Sequence, residues 1–205
     1  FYQVHPVNAE INHDYYFNTS SRSIFNAVFD DFFPPLTYII RRDGLEKIGG
    51  FIQKLPFPSV DLSTVLALSR LGRFHFFNEI LGTWRIFPEQ TTKTLSNDIV
   101  EGAHKIIFEY YNSLSSEEKR SLKFDEYFIL ENYKRRKIIS LVRGGRFNLI
   151  KKQYKSARRD YARAIKLYGL KEPIWKLRAV VGLVFSWLHW DVEILAAIFG
   201  KGSMK

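Results

Sequence analysis

The chain contains no cysteine among its 205 residues. That absence excludes disulfide scaffolds, cysteine-ligated zinc and thiol nucleophiles together. No Gly-x-Gly-x-x-Gly, Walker loop or Gly-x-Ser-x-Gly elbow is present, so the common dinucleotide, P-loop and hydrolase signatures have no footing. The five histidines are scattered, with no helical i,i+4 pair for a metal. Long apolar runs are also missing. The uncharged stretch Ala179–Trp190 is 12 residues, against the roughly 20 a spanning helix needs. What is present is ordinary globular chemistry, 46% hydrophobic and 25% charged, which excludes disorder as the main description. Aromatics are rich, with 18 Phe, 11 Tyr and 4 Trp. The first residues are Phe1-Tyr2-Gln3 rather than Met, which reads as a fragment of a longer protein.

Positive charge is unevenly placed. Residues 1–100 hold 9 Lys+Arg and 10 Asp+Glu, whereas residues 101–205 hold 22 and 11. Within 134–178 there are 16 cations and only Asp160 and Glu172 as anions. A field of that sign attracts nucleic acid, anionic lipid or phosphorylated substrates.

The front half reads as short mixed elements. Phe1–Val7, Leu36–Arg41, Arg73–Phe77 and Ile80–Ile86 are β-rich, and Ser20–Phe33 has helical spacing before Pro34-Pro35. Asp43-Gly-Leu-Glu46 is a capping-box pattern for one short helical turn closed at Gly49-Gly50. Asp61–Leu71 predicts a helix with Leu62, Val65, Leu66 and Leu68 inward. The back half reads as helices over 96–113, after Ser115, and over 125–142, 147–168, 173–187 and 190–199. Gly144-Gly145 and Tyr168-Gly169 are the expected breaks. The expected fold is thus an α/β front with a mixed sheet, followed by an all-helical C-terminal region. The expected division places one domain at 1–92 and a basic helical region at 93–205.

Two residues or runs carry open alternatives. Asp61, after the stiff loop Pro56–Val60, is either a plain N-cap or a general base at a cleft edge. The stretch with Trp187 and Trp190 is either a terminal helix packed on its own domain or a helix lying in a membrane interface.

The order of motifs from Leu36 to Thr92 resembles the second half of the catalytic domain in family 2 glycosyltransferases, inverting enzymes of the GT-A fold. The residues are Leu36-Thr-Tyr-Ile-Ile-Arg-Arg42, Asp43–Lys47, Ile48-Gly-Gly-Phe51, Ser59-Val-Asp61, Gly72-Arg-Phe-His-Phe-Phe77 and Leu81-Gly-Thr-Trp-Arg85. The likeness covers roughly residues 1–92. Val60 stands where the family usually has Glu, and Phe87 where many members have His. The processive Gln-x-x-Arg-Trp signature is missing, so transfer of single sugars is expected.

The resemblance implies that Asp61 is the catalytic base, accepting the proton of an acceptor hydroxyl. It implies donor-diphosphate or acceptor roles for Gly49, Gly50, Phe51, Trp84 and Arg85. Phe51, Phe57 and Trp84 offer flat faces to a sugar ring or pack a core. The implied partners are a nucleotide-sugar donor and a glycan, lipid-linked or glycoprotein acceptor of the cell envelope. No metal ligand falls in this chain. The divalent cation, Mg or Mn, and the nucleotide-binding half belong to residues preceding Phe1, so the fragment alone is expected to be inactive. The implied setting is cytoplasmic, peripheral on the inner face of the plasma membrane. Arg135, Arg136, Lys151, Lys152, Arg158 and Arg159 are the candidate contacts to a membrane or polyanion. The alternative from another class is a non-catalytic basic module binding nucleic acid, with Tyr133, Tyr154 and Tyr161 interleaved among the cations. Nucleic acid is not the partner expected under the first reading.

Overall fold

A computed structural model describes residues 2–3, 39–55, 60–72, 84–85, 90, 94–122 and 125–190. In chain order the described elements are β1 (Tyr2–Gln3), α1 (Arg42–Lys47), α2 (Val60–Leu68), β2 (Trp84–Arg85), α3 (Ser96–Asn112), α4 (Ser116–Ser121), α5 (Glu126–Ile150), α6 (Tyr154–Lys166) and α7 (Pro173–Leu188). The chain forms two compact units. The first comprises 1–86 and 105–126, the second 87–104 and 127–205.

In the first unit, α1 ends as its two glycines dictate. Gly49 (φ 82°) and Gly50 (φ 94°) adopt the left-handed conformations that side chains resist. Their amides donate to the carbonyls of Glu46 (3.0 Å) and Leu45 (2.9 Å), the paired bonds of a Schellman stop. The capping box expected at Asp43 and Glu46 is not formed. Arg41 is the N-cap without a side-chain bond, and Asp43 instead accepts from Arg41 (3.0 Å) while Glu46 accepts from Arg42 (2.8 Å). Those arginine partners compete for the carboxylates that a capping box would use. At α2, Val65 and Leu66 are buried, as the spacing predicts. Leu62 and Leu68 are only half-buried, and Ser63 and Thr64 take their place inside. Ser69 and Tyr110 share a hydrogen bond (3.0 Å), which seats α2 against the C-terminal half of α3. At α4 the reciprocal capping box is formed: Ser115 Oγ accepts from the Glu118 amide, and Glu118 accepts from the Ser115 amide.

The α/β expectation for the front half is corrected: the described structure is helical. Its sole β pairing is two residues long, Tyr2 opposite Arg85 and Gln3 opposite Trp84, antiparallel. A two-residue ladder presents no sheet face for a core to form on. Of the apolar residues that bury in this unit, Val65, Leu66, Ile106 and Tyr111 belong to helices and Leu114 to the turn between α3 and α4. The expected strand Leu36–Arg41 is described only from Ile39, where the chain is irregular and passes into α1. The runs at 4–7, 20–33, 73–77 and 80–83 and the helix at 190–199 lie outside the described residues, save Trp190.

The second unit is built on Leu141, Val142, Leu149, Ala157, Tyr161, Ala164 and Ala179, contributed by α5, α6 and α7. The expected break at Gly144-Gly145 is not there, and α5 runs through both glycines to Ile150. The physical reason is space. A Cβ on Gly145 would lie 2.8 Å from the Tyr161 ring, so glycine serves close packing here rather than chain reversal. The break comes later, at Lys152 (φ 58°), where the amides of Lys152 and Gln153 donate back to Leu149 and Asn148. A second break falls at Tyr168-Gly169, as expected (φ 57° and 58°), and Pro173 opens α7 at a position that needs no amide.

Candidate active site

Asp61 is the second residue of α2, within the first turn rather than at the N-cap. The residue is exposed overall, yet partial desolvation of its carboxyl pushes the pKa above the ordinary value. One turn further on, the buried Thr64 Oγ1 accepts a hydrogen bond of 3.0 Å from the Ile52 amide. That bond ties α2 to the Gly49-Gly50-Phe51 turn. A Cβ added at Gly49 or Gly50 would meet nothing within 4 Å, so the backbone there faces open space. Phe51 leaves 64% of its surface exposed beside it. The neighbouring hydroxyl of Ser63 is buried and has no hydrogen-bond partner among the described residues. Trp84 and Arg85 lie on β2, their backbone paired with Gln3 and Tyr2.

The basic candidates fall on α5, α6 and the turn between them. Arg135 pairs with Glu172 (3.5 Å), and Arg136 is half-buried. Lys151 lies over the Phe147 ring (5.9 Å), and Lys152 occupies the left-handed stop of α5. Arg158 lies over the indole of Trp187 (4.1 Å), and Arg159 pairs with Asp160 (3.5 Å). Many neighbouring cations are likewise engaged. Lys134 and Lys171 share Glu131, and Lys137 pairs with Glu101. Lys176 is buried, its ammonium donating to the carbonyls of Ile165 and Leu167 at the end of α6 and of Gly169 in the turn beyond.

Sequence reasoning missed Arg143 and Arg178, which both lie over Trp175 (5.6 and 4.7 Å). The three tyrosines of the polyanion reading are committed elsewhere. Tyr161 is buried, with its phenol pushed well above its usual pKa by desolvation. Tyr133 stacks on His104 (4.1 Å), whose pKa is lowered by burial, and Tyr154 packs on His189 (4.1 Å). Among the described residues no group of three His, Asp or Glu is placed to hold a metal. No family model, curated protein or solved structure matches the chain.

Proposed function

We propose that residues 1–92 supply the acceptor side of an inverting glycosyltransferase, with Asp61 as general base. The observation that carries this reading is the raised pKa of the Asp61 carboxyl in the first turn of α2, a helix tied to an open glycine turn. A carboxylate with raised basicity takes a hydroxyl proton more readily than an ordinary aspartate. The acceptor O–H proton passes to an Asp61 Oδ as the oxygen forms its bond to the anomeric carbon. The bond from that carbon to the diphosphate oxygen breaks on the opposite face, and the nucleoside diphosphate leaves, inverting the centre.

Gly49 and Gly50 admit the sugar close to the backbone, and Phe51 offers an exposed apolar face. Arg85 supplies positive charge for the departing diphosphate. The donor nucleotide and the divalent cation belong, on this reading, to residues outside this chain. The acceptor is a hydroxyl of a cell-envelope glycan, lipid-linked sugar or glycoprotein, and one sugar is transferred per encounter.

The alternative of a nucleic-acid module draws less support, because Tyr161 is buried and Lys134, Lys137 and Lys171 are already paired with carboxylates. The test is a screen of the full-length protein with nucleotide-sugars and hydroxyl acceptors. Proton NMR of the product should show an anomeric configuration opposite to the donor's. A retained configuration, or no transfer with any donor, contradicts the proposal.

A further inference from the structure

Helix α7 is built with its polarity turned outward. The residues it buries are small or polar: Lys176, Ala179, Gly182 and Ser186. Trp175, Leu183 and Phe185 pack partly against the core, but most of its large apolar side chains are exposed, among them Ile174 (67%), Leu177 (65%) and Trp187 (66%). Val180, Val181, Val184 and Leu188 are exposed as well. At 100° per residue these seven occupy one continuous arc of roughly 140°, with no charge inside it. On the inward side Tyr161 fills the space against Gly182. A contiguous apolar face of this kind on a protein surface marks a site of contact.

The margins say what it contacts. Arg178 lies at one edge of the arc, over Trp175, and Arg158 at the other, over Trp187. Trp190, 57% exposed, follows at the end of the helix. An apolar face edged by arginines and tryptophans is the composition of a helix lying in the lipid headgroup boundary. A second copy seated by a two-fold axis would bring these same-sign margins together, which is unfavourable. Among the described residues no helix is long and apolar enough to cross a membrane, so α7 would lie on one.

We infer that α7 docks this protein on an anionic membrane surface, its apolar arc entering the acyl boundary and Arg158 and Arg178 meeting phosphate headgroups. The inference does not rest on Asp61 or on any catalytic activity. It is tested by co-sedimentation of residues 1–205 with vesicles of pure phosphatidylcholine and of equimolar phosphatidylcholine and phosphatidylglycerol. Binding is expected to the anionic vesicles, with a blue shift of tryptophan emission. The pair Leu177→Ser and Val184→Ser, both at exposed positions, should abolish binding with the circular dichroism unchanged. Arg158→Gln with Arg178→Gln should weaken it by about thirtyfold, at ~1 kcal/mol for each surface cation. Asp61→Asn should leave it untouched. Absence of vesicle binding by the wild-type chain overturns the inference. So does a dimer that Leu177→Ser dissolves, or salt-sensitive binding to RNA with no affinity for anionic vesicles.

Discussion

Tyr161 and Gly182 are in such close contact that a methyl group on the glycine would lie 2.3 Å from the phenol ring carbon Cζ. Gly145 also meets the Cε1–Cζ edge of this ring, so one tyrosine of α6 packs against glycines of both α5 and α7. Neither glycine has a positive φ, and their role is close approach alone. Gly182→Ala is therefore expected to destabilise the second unit by about 2 kcal/mol through overpacking. Tyr161→Leu, itself destabilising, should make the additional cost of Gly182→Ala much smaller. Urea denaturation of the two single variants and the double variant measures this coupling. Additive effects would mean that the ring and the glycine do not share that space.

Lys176 makes a second prediction. Its buried ammonium satisfies the carbonyls of Ile165 and Leu167 at the C-terminal end of α6, where the helix leaves acceptors unpaired, and that of Gly169 in the turn beyond. Lys176→Met keeps the length and apolar stem but strands those acceptors. A loss of about 3 kcal/mol is expected, read as a lower urea midpoint. A change within experimental scatter would show the carbonyls to be satisfied by water.

Asp160 gives the pH dependence. Desolvation raises its carboxyl pKa, and Arg159 and the Asn148 amide (2.8 Å) oppose that only in part. A carboxyl with a raised folded pKa keeps its proton where the unfolded chain has already lost it. Its contribution to stability is fully present below the unfolded value of 3.8 and is lost as pH rises through the folded value. Asp160→Asn should remove this component, so the difference in stability between variant and wild type should grow in the variant's favour as pH rises from that region. Thermal melts of both proteins across the acid range measure it. A difference independent of pH would contradict the raised value.

Local chemistry made many helices legible before their packing was known. Ser115 with Glu118, Pro173 at the start of α7, and Gly49-Gly50 at the end of α1 each announce a terminus by unpaired backbone groups. Gly144-Gly145 misled for the opposite reason. A glycine pair reads as a break unless its tertiary neighbour is known, and Tyr161 lies sixteen residues further along. The front half misled because β-rich composition marks runs suited to a sheet without supplying the partners that form one. At α7 the apolar period was visible, but period alone does not say which face turns inward. The small residues Ala179, Gly182 and Ser186 were the available signal. At the candidate site, the position of Asp61 at the start of a helix was legible, whereas the desolvation that raises its pKa depends on the fold.

The most direct measurement of the central claim is the rate of sugar transfer by full-length Asp61→Asn against wild type, at saturating donor and acceptor. The amide preserves shape but cannot accept the proton. The account predicts a fall of about 10²- to 10⁴-fold in kcat with the circular dichroism unchanged. It also predicts a wild-type rate that rises with pH through a value above that of an ordinary aspartate. Transfer by Asp61→Asn at the wild-type rate would contradict the assignment of Asp61 as the base.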